Sequence, residues 1–119
     1  VMPEITLHTA ADPLVIVQNE SFFLARHQKA LAKDPDHTGG LLQLYTVAPA
    51  TYSEADGAPY GAGHCNFTSQ SQVAVVDLLT TWVKDGVYPG GAAVTAAMGD
   101  QSGYSSGWSP GPWPRSGES

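Results

Sequence analysis

Asp12 and His64 are the two residues of this sequence whose types and settings best suit proton-transfer chemistry. A histidine serves as a general base near neutral pH, and a carboxylate that accepts a hydrogen bond from its ring fixes the tautomer and stabilises the protonated form. Such a pair activates a nucleophile, commonly a serine hydroxyl, for acyl transfer. Asp12 precedes Pro13 in a turn-like sequence, and His64 follows Gly63 in a glycine-rich one. We therefore predict that Asp12 and His64 belong to a Ser-His-Asp triad.

The segments around these two residues alternate between strand and helix patterns. Residues 4–9 alternate polar and apolar side chains, which predicts a strand, and the apolar run 41–47 predicts a buried one. A helix is predicted between them, from a cap at Asn19 or Ser21 to about residue 33. Strands that alternate with helices form parallel sheets, whose functional loops follow the carboxyl ends of the strands. Both predicted catalytic residues lie in such loops.

A second helix is predicted after the histidine. Ser69 as N-cap and Gln72 match a capping box, and Gly86 is a typical helix end. The apolar residues at helical spacing predict the buried stripe, namely Val73, Val76, Leu79 and Val83, with Val75 and Trp82 beside them. Residues 90–119 are rich in Gly, Ser, Pro and Trp without periodicity, so we predict an irregular tail there.

This arrangement resembles the C-terminal third of the α/β-hydrolase family, over about residues 3–88. The resemblance lies in Asp12-Pro13-Leu14-Val15 after the first strand, in Gly63-His64 after the second, and in the helix that follows. Because that family has the order serine, acid, histidine, the resemblance implies a nucleophile and an oxyanion hole in an N-terminal hydrolase segment outside this chain, which would be its partner. It further implies an α/β fold, with residues 1–89 forming the C-terminal part of a parallel sheet with flanking helices. The implied activity is hydrolysis of an ester-type small molecule without a cofactor.

A narrower resemblance concerns the dipeptide His64-Cys65. It is similar to the tannase and feruloyl esterase group, in which a cysteine directly follows the catalytic histidine and pairs with a second cysteine beside the serine. The resemblance implies a disulfide from Cys65 to a partner outside this chain, in a secreted enzyme. A buried free thiol is the alternative interpretation. Tyr52 and Tyr60 lie in the long segment 48–63 before the histidine, and we predict that they line the substrate pocket.

One segment of the tail matches the sequence motif of a nucleophilic serine. The segment Gly103-Tyr104-Ser105-Ser106-Gly107 matches G-x-S-x-G, but a nucleophile elbow needs a strand before it and a helix after it. The proline-rich residues 108–112 cannot continue as a helix. We therefore predict that Ser105 is not the nucleophile. Trp108 and Trp113 either anchor the tail or form an aromatic binding surface.

Charge and composition narrow the function classes. A net charge of -6 without a basic stripe argues against nucleic-acid binding, and no apolar run reaches the roughly 18 residues of a membrane span. No metal-ligand spacing links the remaining histidines, so no metal site is predicted. The alternative to the hydrolase is a non-catalytic α/β domain whose Tyr- and Trp-bearing loops bind a ligand or partner. It predicts that Asp12 and His64 lie far apart.

Overall fold

The computed structural model of this protein describes residues 2–12, 14–34, 40–47, 67–100 and 103–114. These residues form a small mixed α/β structure with two strands and three helices. In chain order the elements are β1 (Glu4–Thr9), α1 (Gln18–Leu31), β2 (Leu41–Thr46), α2 (Ser69–Asp85) and α3 (Gly91–Met98).

The two strands are parallel, with Glu4 opposite Leu41 and Thr9 opposite Thr46. Parallel neighbours need a crossover connection, and α1 provides it. The parallel strand pair that the alternating pattern predicted is therefore confirmed. The ladder continues one step past β1, where the Ala10 amide donates to the Thr46 carbonyl at 2.9 Å.

The helices cover different faces of this sheet. Side chains of a strand alternate between its faces. On one face, the apolar side chains of both strands pack against α2 and α3, and this core contains Ile5, Leu7, Leu42, Leu44, Ala74, Leu78, Val94 and Met98. On the other face, Thr6 and Gln43 hydrogen-bond to Glu20 of α1. The sheet is thus apolar toward α2 and α3 and polar toward α1.

Helix α1 begins without a side-chain cap, at Gln18 after Val17. Asn19 and Ser21, the predicted caps, lie inside the first turn, so that prediction was wrong. Ser21 has another role: its hydroxyl donates to the carbonyl of Gly111 in the tail at 2.7 Å. That partner lies 90 residues away, and local sequence does not indicate it.

Helix α2 is capped one residue earlier than predicted. The Thr68 hydroxyl accepts a hydrogen bond from the Ser71 amide at 3.1 Å, so Thr68 and not Ser69 is the N-cap. Gly86 ends the helix with a left-handed φ of 70°, as predicted.

The buried stripe of α2 also differs from the predicted one. The valines 73, 76 and 83 are more than half exposed. The buried residues are instead Ser71, Ala74, Leu78 and Trp82. These four residues recur at three- to four-residue spacing, so they form one face of the helix, and packing against the sheet and α3 selected this face over the valine face.

Residues 91–98 form a helix inside the segment that we predicted to be an irregular tail. Val94 and Met98, one turn apart, bury against α2 and the sheet. The helix has only eight residues and four of them are alanines, so its periodicity is weak in the sequence. Residues 103–114 are irregular, apart from a bridge between Tyr104 and Thr46.

Within the described ranges, no helix combines the length and the apolar character needed to cross a membrane.

Candidate functional site

Asp12 lies three residues beyond the carboxyl end of β1. Its Oδ1 accepts hydrogen bonds from the amides of Leu14 at 2.8 Å and Val15 at 2.9 Å. These bonds hold the carboxylate at the carboxyl edge of the parallel strands, which is where ligand and catalytic groups of such sheets lie. They are also the bonds of an Asx turn, which aspartates before proline form without any catalytic role.

The other predicted site residues lie outside the described residues. They are His64, Cys65, Tyr52 and Tyr60. The pairing of Asp12 with His64, the disulfide at Cys65 and the pocket-lining tyrosines therefore stay predictions.

Two threonines close the carboxyl edge of the sheet. Thr9 and Thr46 face each other in the register, and both are almost fully buried. The Thr9 hydroxyl accepts from the Ala11 amide at 3.5 Å. The Thr46 Oγ1 is buried without a hydrogen-bond partner among the described residues. A buried hydroxyl without a partner costs about 1–3 kcal/mol, so within the described part of the chain this edge carries unused hydrogen-bonding capacity next to the Asp12 turn.

Glu20 organises the polar face of the sheet. Its Oε2 accepts from the Thr6 hydroxyl at 2.6 Å and from Gln43 Nε2 at 2.7 Å, and Gln43 Nε2 also donates to the Glu20 carbonyl at 2.9 Å. This cluster was not predicted from the sequence. The available signal was Gln43, a polar side chain inside the otherwise apolar start of β2 and opposite Thr6 of β1.

A cleft of about 460 Å³ lies between α1 and residues 104–110 of the tail. We call it the Tyr45 cleft. Its polar lining consists of Ser21, Gln28, Gln43, Tyr45, Tyr104, Ser105, Ser106 and Ser109, and its apolar lining of Leu24, Ala25, Trp108 and Pro110. Burial and, secondarily, the charge of Glu20 raise the pKa of Tyr45 to about 12.

The tail tryptophans pack on neighbouring aromatic rings. Trp108 meets Tyr45 edge-on, with ring centroids 5.2 Å apart, and Trp113 lies 5.5 Å from Phe22 of α1. These contacts, worth roughly 0.5–1.5 kcal/mol each beyond burial, favour the anchoring role of both residues. Trp108 also leaves part of its surface in the cleft.

Ser105 does not lie on a nucleophile elbow. Its amide donates to the Tyr45 carbonyl at 3.1 Å, and the Val47 amide donates to the Gly103 carbonyl at 3.0 Å, so this segment runs beside the end of β2. Residues 103–114 contain no helix, whereas the elbow requires one directly after the serine.

A second, more apolar groove of about 540 Å³ lies between α2 and α3, with Trp82 and Tyr88 among its lining residues.

Among the residues that the structure describes, no group of three His, Cys, Asp or Glu side chains could hold a metal ion. Comparisons with protein families, with curated proteins and with solved structures found no match to this chain.

Proposed function

We propose that this chain is the C-terminal part of a serine esterase of the α/β-hydrolase type. In this proposal Asp12 and His64 are the acid and the base of the triad, and the nucleophilic serine and the oxyanion hole belong to an N-terminal segment outside the chain. The observation that carries the proposal is the parallel β1–α1–β2 unit with the Asp12 carboxylate held just beyond the carboxyl end of β1. An acid in that position is what the family resemblance requires.

The edge of β1 that faces away from β2 supports the proposed N-terminal segment. The register directs the backbone groups of Ile5 and Leu7 away from β2, and among the described residues no strand pairs with that edge. The side chains of Ile5 and Leu7 are only partly buried. Two strands with one open edge make a marginal sheet. A further strand against β1 would satisfy these backbone groups and extend the core.

The proposed chemistry follows the order of a serine hydrolase. The serine attacks the ester carbonyl while His64 takes its proton, and His64 then donates that proton to the leaving alcohol. Asp12 accepts a hydrogen bond from the His64 ring, selects its tautomer and stabilises its protonated form. Water repeats the sequence on the acyl-enzyme and releases the acid.

Imidazole ¹⁵N NMR tests the Asp12–His64 pair in this chain directly. We expect the His64 ring to be held in the Nδ1–H tautomer, and Asp12→Asn to abolish that preference because the carboxylate acceptor is lost. Asp77→Asn is the matched control, since Asp77 lies exposed on α2. Equal His64 spectra in the wild type and in Asp12→Asn would exclude the pair and favour the non-catalytic alternative.

Ester hydrolysis tests the activity itself, in the polypeptide that joins the proposed N-terminal segment to residues 1–119. With a p-nitrophenyl ester as substrate, we expect Asp12→Asn to lower kcat by about 10³- to 10⁴-fold, with kcat unchanged in Asp77→Asn. A kcat for Asp12→Asn within a few-fold of the wild type would contradict the proposal.

The narrower proposal concerns Cys65, which would be bridged to a cysteine beside the serine in a secreted enzyme. Mass spectrometry of the same polypeptide, alkylated with and without reduction, tests it. We expect Cys65 to be alkylated only after reduction. Alkylation before reduction would instead establish a free thiol.

A further inference from the structure

The Tyr45 cleft has the features of a binding site, and Asp12, the described residue of the proposed triad, is not among its lining residues. We propose that it binds a neutral, hydroxyl-rich ligand of the size of a sugar ring. The proposal does not depend on the esterase proposal, because it uses the α1 face of the sheet and none of the predicted catalytic residues.

The lining of the Tyr45 cleft is polar but carries no charged side chain. The polar groups that line the cleft are the amides of Gln28 and Gln43, three serine hydroxyls of the tail, Ser21 and two tyrosines, and none of these carries a charge at neutral pH. The nearby carboxylate of Glu20 is already bonded to Thr6 and Gln43. A charged ligand would lose hydration there without gaining an unbonded ionic partner. Ligand hydroxyls can instead bond to Gln28, to the serine hydroxyls of the tail and to the Gln43 carbonyl oxygen, since the amide hydrogens of Gln43 are already donated to Glu20.

Tyr45 provides a hydrogen-bond donor in this lining. Its side chain is only 7% exposed, lines the cleft and has no hydrogen bond to any described residue. A tyrosine hydroxyl is protonated throughout the physiological range at its ordinary pKa of about 10, and burial raises the pKa of Tyr45 further. It is therefore a nearly buried donor in the lining of the cleft to which no described residue is hydrogen-bonded.

Trp108 supplies an apolar platform beside this donor. One side of the indole is fixed against Tyr45, and part of it lines the cleft. The face of an aromatic ring carries negative electrostatic potential, so it attracts the weakly positive C–H groups of a sugar ring. An aromatic surface next to neutral hydrogen-bonding groups is the combination that suits such a ligand, and the cleft volume is in the range of small-molecule sites.

The lining is held in place before any ligand arrives. Gln43 and Tyr45 belong to β2. The tail that carries Trp108 is held by three hydrogen bonds: Ser105 amide to Tyr45 carbonyl, Val47 amide to Gly103 carbonyl, and Ser21 hydroxyl to Gly111 carbonyl. Side chains that are already ordered lose little entropy on binding. The cleft therefore resembles a preformed site.

Isothermal titration calorimetry with matched sugars tests the charge requirement. The probes are glucose and galactose as neutral rings, glucuronate as an anion and glucosamine as a cation. We expect saturable binding of a neutral ring, and at least about tenfold weaker binding of both charged rings. No saturable binding of either neutral sugar, or equal binding of a charged one, would overturn the proposal.

Three variants locate the site. Tyr45→Phe removes one oxygen from the cleft and should weaken binding by about tenfold, the worth of one net hydrogen bond. Thr80→Val also removes one hydroxyl, on the exposed surface of α2, and should leave affinity unchanged. Gln28→Ala changes an exposed residue of α1, so it keeps the fold, and should also weaken binding. Wild-type affinity in both Tyr45→Phe and Gln28→Ala, or an equal loss in Thr80→Val, would show that the cleft is not the site.

Discussion

The two faces of the β1–β2 sheet differ although the same two strands form them. Toward α2 and α3, the strands present Ile5, Leu7, Leu42 and Leu44 to a continuous apolar core. Toward α1, they present Thr6, Gln43 and Tyr45 around the Glu20 carboxylate. Parallel strands are usually apolar on both faces. The difference indicates that one face supplies most of the apolar burial, whereas the other face holds a hydrogen-bonded polar cluster.

The energetics of the two faces follow from this difference. Each large apolar side chain buried on the α2–α3 face contributes about 1.5–3 kcal/mol to folding. On the α1 face, hydrogen bonds to Glu20 mainly offset the cost of removing a carboxylate from water. We therefore expect core truncations to lower the free energy of unfolding strongly. Substitutions on the polar face should lower it less, by an amount that depends on the charge of Glu20.

Leu44→Ala should have the largest effect on stability. Leu44 is 2% exposed and lies in the centre of the core, so its truncation leaves a cavity and should lower the free energy of unfolding by about 3 kcal/mol. Urea denaturation measures this. Leu14→Ala is the matched control, because Leu14 is 76% exposed and its truncation should cost less than about 0.5 kcal/mol. Equal losses in the two variants would show that the core is not where the structure has it.

Glu20→Gln should weaken the hydrogen bonds of the polar face and lower the free energy of unfolding less than Leu44→Ala does. The substitution keeps the shape but removes the charge that strengthens the bonds from Thr6 and Gln43, so the free energy of unfolding should fall by about 1 kcal/mol. Glu4→Gln is the control, since Glu4 is exposed on β1. A loss no greater than that of Glu4→Gln would mean that the cluster contributes no stability.

The same variant has a second readout in the pKa of Tyr45. Burial is the larger cause of its value of about 12 and the Glu20 charge the smaller, so Glu20→Gln should lower this pKa while leaving it above 10. Tyrosinate absorbance, with Tyr45→Phe as the reference, measures it. In the wild type, the unfolded chain loses the Tyr45 proton near pH 10 and the folded chain near pH 12. Stability should therefore fall between those pH values.

Thr46→Val should change the free energy of unfolding least, and should raise it rather than lower it. It replaces a buried hydroxyl that has no partner among the described residues with a methyl group of similar shape, so stability should stay the same or rise by up to about 1 kcal/mol. Thr9→Val is the matched control, because the Thr9 hydroxyl accepts from Ala11 and its loss should destabilise. A clear loss in Thr46→Val would reveal a partner for this hydroxyl outside the described residues.

The order of elements and part of the candidate site were predictable from local patterns. The alternation in residues 4–9 and the apolar run at 41 identified β1 and β2, and Gly86 identified the end of α2. Asp12 was predicted to lie in a turn after β1, and it does. Glu20 and Tyr45 were missed, because a carboxylate in a helix and a tyrosine in a strand have no local signal that distinguishes a cluster from an exposed surface.

The sequence by itself determined the local conformations, since side-chain periodicity, helix ends and turn residues act over a few neighbours. Only the tertiary structure decided which side of α2 is buried, that residues 91–98 are helical, and that the tail returns to α1. Those outcomes depend on contacts between distant residues, such as Ser21 with Gly111 and Tyr45 with Trp108. The polar face and its cleft exist only once those distant segments have met.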